Sequence, residues 1–274
     1  MRPLILLSND DGIHSPGLAA AAEALDPLGE LLIVAPEEQQ TSMGRSRSQQ
    51  YGADGTITET TVNYNDKKWP GYSVKATPAL SVVHGVSEIA DREIGLVVSG
   101  INYGENVGSC VTVSGTIGAA LEAAEKGIPT LAVSQEIASI DYHTYSTDVD
   151  FSAAIHFIRL IAAVMLKNNM PVDADVLKLE IPLGASIDTR MVITRQDKLV
   201  YYQPTVIQRE NLLGTKASVS HVPSKGKYSR KNTDAYALAE GLVSITPLSL
   251  DLTSRNCLDK IADIFDSEIL NEEE

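Results

Sequence analysis

The sequence predicts an α/β fold on a mostly parallel sheet, and three features carry that expectation. Leu4-Ile5-Leu6-Leu7, Leu31-Leu32-Ile33-Val34-Ala35 and Ile94-Gly95-Leu96-Val97-Val98 are short, almost wholly apolar runs, as expected of strands buried on both faces. Segments with helical spacing separate them, and strand–helix–strand order joins parallel neighbours. After Pro171 the character changes: Tyr201 to Asp234 is polar, with dispersed Gly, Ser, Lys and Arg, and reads as an extended hairpin or loop excursion between two good strands. At 274 residues and 43% hydrophobic composition the chain has material for a large core, as one domain or one domain with an appendage.

Taken in order, the first strand stops at Asn9, where Asp10-Asp11-Gly12 forces a turn. Ser15-Pro16 then reads as a helix cap followed by proline in the first turn, with Leu18, Ala21, Ala22 and Leu25 on one face. The second strand ends at Pro36, and Glu37 to Gln50 reads mainly as a solvated loop whose hydroxyls are within reach of the acid pair. Thr56 to Val62 alternates like an exposed edge strand, Asn63 to Lys68 reads as a hairpin or loop, and Tyr72 to Ala76 as a strand. Thr77-Pro78 opens a helix through Leu80, Val83 and Val86. Ile94 to Val98 leads into a Gly/Asn-rich loop from Ser99 to Gly108. Ser114-Gly115-Thr116 starts a helix that ends at Gly127, and Thr130 to Ser134 is a strand. Phe151 to Lys167 is a helix, Val176 to Ile181 and Met191 to Thr194 are strands, and Leu242 to Pro247 is another. An amphipathic helix marked by Leu258, Ile261, Ala262, Phe265 and Ile269 precedes the acidic tail Asn271 to Glu274.

Composition narrows the function. A formal net charge of -14 excludes a protein whose main task is coating nucleic acid. The amino-terminal apolar stretch is too short for a signal peptide, and the best candidate for a span, Phe157 to Leu166, is broken by Arg159. Two cysteines, Cys110 and Cys257, suit a reducing compartment. The expectation is a cytoplasmic protein with no membrane segment.

The chemistry concentrates at strand ends, where open α/β sheets bind ligands. Asp10 and Asp11 repel each other, and a hard cation such as Mg²⁺ or Mn²⁺ compensates them; the same residues also make an ordinary Asx-turn. Asn102 and Asn106 offer carbonyls to a metal and amides to a phosphate. Ser114, Gly115 and Thr116 open a helix whose free N–H groups and hydroxyls suit an anion, although Ser114 is equally an ordinary cap. His14 reads as a helix-entry residue. A dinucleotide-dependent oxidoreductase is disfavoured because the first turn lacks Gly-x-Gly-x-x-Gly and carries two acids. A non-catalytic metal- or nucleotide-binding sensor remains the alternative to an enzyme.

Together, Ile5 to Gly17, Val34-Ala35-Pro36, Val97 to Asn102 with Gly104 and Asn106, Ser114-Gly115-Thr116 and Val243 to Leu248 resemble the SurE family, the survival-protein nucleotidases, in order and spacing over nearly the whole chain. The resemblance implies a single domain: a Rossmann-like three-layer αβα core at 1–183, a hairpin or arm with a returning strand at 184–254, and a helix with acidic tail at 255–274. It implies hydrolysis of nucleoside 5′- and 3′-monophosphates, with short polyphosphate as a further substrate, one divalent ion per subunit, and a homodimer or homotetramer. Position by position, it implies Asp10, Asp11 and Asn102 as metal ligands, with Thr41 or its neighbour Ser42 as the hydroxyl ligand. Ser114, Gly115 and Thr116 match the phosphate-holding turn, and Asn9 the asparagine before the acid pair. Asp10, Asp11, Asn102 and Ser114 are the expected catalytic residues. The chain departs from the pattern at Ser109-Cys110, where many members carry acids, and at Ala76-Thr77-Pro78, where they have Gly-Thr-Pro.

Overall fold

Leu4–Ser8 forms strand β1 with all five residues buried, as an uninterrupted apolar run requires when both sheet faces are covered. In this computed structural model, which describes residues 2–50, 52–138, 146, 148–207, 211, 213–223, 230–254 and 257–269, β1 lies near the centre of a nine-stranded sheet. Helix α1 (Pro16–Leu25) leads from it to β2 (Glu30–Pro36), which pairs parallel with β1. The chain then runs to the sheet edge through the hairpin of β3 (Ile57–Tyr64) and β4 (Lys67–Val74), passes through α2 (Pro78–His84), and returns as β5 (Ile94–Tyr103) on the other side of β1. Helix α3 (Gly115–Ala124), β6 (Thr130–Gln135), α4 (Ser152–Met165) and β7 (Val176–Ile181) continue the parallel set.

Strand order is β3-β4-β2-β1-β5-β6-β7-β11-β8, where β8 is Met191–Ile193 and β11 is Val243–Leu248. Strand β3 is antiparallel to β4, and β11 antiparallel to β7, so the sheet is mixed but mostly parallel. Helices cover both faces. One core gathers Ile5, Leu7, α1 and α4, and the opposite face packs Leu6, Val97, Ala119 and Ala123. The order reverses between β1 and β5, which makes their carboxyl ends the switch point of the sheet.

Several elements differ from the sequence expectation. The edge hairpin turns at Asn65-Asp66, so its return strand and the strand expected at Tyr72 to Ala76 are one element, β4. Strand β5 continues to Tyr103 rather than stopping at Val98, because after a register shift Asn102 and Tyr103 pair with Ser134 and Gln135 of β6. Asn102 therefore stands on a strand end. Helix α1 is buried almost all round instead of along one stripe, since α4 and β3 cover its outer side, and its alanines permit that approach. A short helix, α5 (Asp234–Ala239), capped by the Thr233 hydroxyl, was not signalled by periodicity. Strands β9 (Tyr202–Val206) and β10 (Val219–Pro223) form the expected hairpin as a separate two-stranded sheet; 208–210, 212 and 224–229 within the polar stretch lie outside the described residues, as does the acidic tail at 271–274. Helix α6 (Leu258–Ile269) leaves Leu258, Ile261, Ile264 and Phe265 exposed. Among the described residues no helix is long and apolar enough to cross a membrane.

The start of α1 is fixed by contact with the end of β5. A Cβ on Gly17 would lie 2.2 Å from the Ile101 carbonyl oxygen, a backbone atom that cannot rotate away. Gly17→Ala is expected to lower stability by about 1–3 kcal/mol, the usual range for overpacking. An unchanged melting temperature would contradict this packing.

Candidate metal centre

The acid pair occupies the turn that leaves β1 at the switch point. Both carboxylates are nearly inaccessible, Asp10 at 5% and Asp11 at 3% exposure. Asn9 makes the turn possible. Its Oδ1 accepts from the Gly12 amide at 3.1 Å and its Nδ2 donates to the Gly12 carbonyl at 3.0 Å, so both polar atoms of this fully buried side chain are taken within the turn. Gly12, at φ +93°, supplies the left-handed residue the turn needs.

The start of α3 faces Asp10. The Thr116 hydroxyl donates to Asp10 Oδ1, and the amides of Gly115 and Thr116 also favour its ionised form. A Cβ on Gly115 would lie 2.7 Å from Asp10 Oδ2, so only glycine admits the carboxylate this close to the helix end. Ser114 caps the helix, accepting from the Ile117 amide at 3.2 Å. Asp11 is held from two other sides: Gln39 Nε2 donates to Oδ1 at 3.0 Å and the Tyr103 amide to Oδ2 at 3.0 Å. Asn102, one residue earlier, is partly exposed and donates from Nδ2 to the Gly104 carbonyl at 2.6 Å, leaving its Oδ1 uncommitted by that bond.

The segment Glu37 to Gln50 is tethered at more points than a solvated loop would be. Gln40 N donates to the Asp10 carbonyl at 2.7 Å, and Gly44 N to the Val113 carbonyl at 2.9 Å, so Thr41 and Ser42 span the gap between the acid turn and the start of α3. Both are exposed, and Ser42 has φ 62°. Arg45 Nε and Arg47 Nη2 each approach a different oxygen of Glu122, at 2.9 Å, and both also pair with Glu125, fastening the loop to α3. Exposed His14 lines a cavity beside α1 with Tyr64 and Phe151.

A second buried charge cluster was missed by the sequence reading. Lys178 and Glu180 alternate on one face of β7, both with fully buried side chains, and meet Asp234 at the start of α5. Two charges among leucines in an otherwise buried strand, Val176-Leu177-Lys178-Leu179-Glu180-Ile181, were the available signal. Burial pushes Glu180 up to about 7, with Lys178 working against it.

The donors suit a divalent cation. Two adjacent carboxylates, an asparagine carbonyl and a nearby hydroxyl are hard oxygen ligands; among the described residues no group of three or more His, Cys, Asp or Glu that could hold a metal gathers, so the ligand set would combine the two acids with neutral oxygens. Burial pushes Asp10 up to about 6; burial and then the charge of Asp10 push Asp11 up to about 7. A folded state that retains a proton lost by the unfolded chain loses relative stability as pH rises between those two pKa values. The window runs from the ordinary carboxylate range up to about pH 6 for Asp10 and up to about pH 7 for Asp11 and Glu180. Metal-free protein should therefore melt at a lower temperature at pH 8 than at pH 5, and Asp11→Asn should raise the pH 8 value and flatten the difference; the opposite slope would contradict the burial of the pair.

Comparison with known proteins agrees with this architecture. The family described as survival protein SurE matches residues 5–203. A 5′-nucleotidase SurE of Methanothrix thermoacetophila is 36% identical over 96% of this chain and 98% of its own length, and one of Thermococcus gammatolerans is 37% identical over 97% of each. The crystal structure of the SurE protein from Aquifex aeolicus superposes with a TM-score of 0.75 at 30% identity, covering 96% of this chain and all of that one. The chain belongs to the SurE family.

Proposed function

We propose that the protein is a metal-dependent phosphatase that releases phosphate from nucleoside 5′-monophosphates, and also from 3′-monophosphates and short polyphosphate. The observation that carries the reading is the buried Asp10-Asp11 pair at the switch point, set against the start of α3, in a chain whose relatives are named 5′-nucleotidase. Asp10, Asp11 and Asn102, with the hydroxyl of Thr41 or Ser42, would hold one Mg²⁺ or Mn²⁺. Such an ion, when bound, polarises a phosphoryl oxygen and makes a water more acidic.

The chain's own groups supply positioning and charge. The Ser114 hydroxyl, joined by the Gly115 and Thr116 amides and the Thr116 hydroxyl when a metal takes Asp10 from them, lies at the positive end of α3 and would stabilise the equatorial oxygens of the phosphoryl group, the main burden of such transfers. Asn9 serves by closing the turn that presents both acids. With both acids engaged as ligands, direct attack by water is the simpler route, rather than an aspartyl-phosphate. A cytoplasmic location fits the two free thiols, Cys110 and Cys257.

The exposed β9–β10 hairpin and α6 belong, in this reading, to subunit contact in a homodimer or homotetramer. Val206, Val219, Ile261 and Phe265 present apolar surface that the single chain does not cover.

Three outcomes test these assignments. Inorganic phosphate should appear from AMP or GMP only with added Mn²⁺ or Mg²⁺, and Asp10→Asn or Asp11→Asn should abolish it while the protein stays folded; a sensor would bind nucleotide without turnover. Thr41→Ala should weaken metal affinity in calorimetric titration more than Ser42→Ala, and the reverse order would move the ligand to Ser42. Light scattering should give a dimer or larger, reduced when a Gly-Ser turn replaces 213–231; a monomeric parent, or an assembly indifferent to the replacement, would show that the arm does not hold subunits.

A further inference from the structure

The Gly/Asn-rich segment after Asn102 is held from beneath by residues far away in sequence. Lys178 Nζ donates to the Asn106 carbonyl at 2.9 Å, and approaches Asp234 Oδ2 at 3.0 Å and Glu180 Oε1 at 3.3 Å. Glu180 Oε2 accepts from the Asn106 amide at 3.1 Å, and Asp234 Oδ2 from the Gly108 amide at 3.2 Å. Asn106 Nδ2 donates to Ser134 Oγ at 2.9 Å, and the Gly104 amide to the Gln135 carbonyl at 2.8 Å. Gln196 Nε2 reaches the Gly108 carbonyl at 3.0 Å, and the Tyr202 hydroxyl reaches Glu105 Oε1 at 2.5 Å. The roots of the arm and the end of β7 thus form the floor of the segment whose first residue is Asn102.

Stability does not explain the charge at that floor. All three charged side chains are fully buried, and burying an ion pair gains so little that an apolar set of similar volume is often as stable or more so. A charged lysine does something an apolar residue cannot: it fixes a carbonyl, and with it the path of a loop. The Asn102 amide bonds the Gly104 carbonyl within that loop, so the loop path decides where the Asn102 Oδ1 points.

We propose that Lys178 is a positioning residue for the reaction: gripped by Asp234 and Glu180, it holds the Asn106 carbonyl and so aims Asn102 at the metal. The inference rests on the metal-centre reading above and adds a residue from β7, two strands away from the β5 end that carries Asn102. Asp234 adds a further connection, since it follows the arm and binds the Asp197 and Ala235 amides through Oδ1 at 2.8 Å.

The test compares Lys178→Met/Glu180→Gln, which removes one charge of each sign, with Glu180→Gln alone, which keeps the lysine and its bond to Asn106. The double variant should keep the circular dichroism spectrum and a melting temperature close to the parent's. Its kcat for AMP at saturating Mn²⁺, and the Mn²⁺ affinity of the metal-stripped protein by calorimetry, should each fall about 10- to 100-fold, as on loss of an outer-shell contact. KM should move less than about threefold, since the loss is not one of uniform substrate binding. Glu180→Gln, which weakens one of the two grips but leaves Lys178 on the Asn106 carbonyl through Asp234, should lose clearly less than the double variant in both measurements. A folded double variant with parental kcat and Mn²⁺ affinity overturns the proposal. If the double variant fails to fold, Asp234→Asn decides, because its remaining Oδ1 still accepts the Asp197 and Ala235 amides while the Oδ2 bonds to Lys178 and to the Gly108 amide are lost; parental values there overturn it equally. A parent without metal-dependent phosphate release would instead remove the functional reading itself.

Discussion

Asp10 and Asp11 are buried side by side at the end of β1, and two like charges withdrawn from water repel each other without solvent to screen them. The surrounding structure consists largely of responses to that constraint. The Asn9 side chain closes the turn, the start of α3 meets Asp10, and Gln39 and the Tyr103 amide meet Asp11. Hydrogen bonds soften the repulsion but supply no full positive charge, whereas a divalent cation does. The same geometry that makes the pair costly in the metal-free protein makes it a strong ligand set.

The fold makes this arrangement possible by bringing three distant stretches to one sheet edge. Strand β1 delivers the acids, β5 delivers Asn102, and α3 delivers Ser114 to Thr116, all at the point where strand order reverses. The loop after β2 closes over them, fastened by Arg45 and Arg47 to Glu122 on α3. The burial of both carboxylates strengthens the electrostatic interactions made with them.

What the sequence revealed was local. The purity of the β1 run, Pro16 at the start of α1 and Ser114 capping α3 are decided within a few residues and stand where periodicity and capping put them, whereas Ser15 occupies the cap position of α1 without a side-chain capping bond. Extension of β5 through Asn102 depends on pairing with Ser134, more than thirty positions away, which no local pattern records. The tethering of Glu37 to Gln50 was hidden for the same reason: its partners lie on the acid turn, before α3 and on α3, and serines and glycines alone look like loop. Lys178 shows the limit most clearly. A lysine in an apolar strand has meaning only beside Asp234, which a local reading left within a polar excursion.

The claim that the acid pair is a metal centre is tested most directly by crystals grown with Mn²⁺ and measured at a wavelength where manganese scatters anomalously. The account predicts one strong peak per subunit at about 2.1–2.3 Å from carboxylate oxygens of both Asp10 and Asp11, with the Asn102 carbonyl and one hydroxyl from Thr41 or Ser42 completing the protein ligands. A clean map without that peak, or a peak held elsewhere while Asp10 keeps only Thr116 for company, would contradict it.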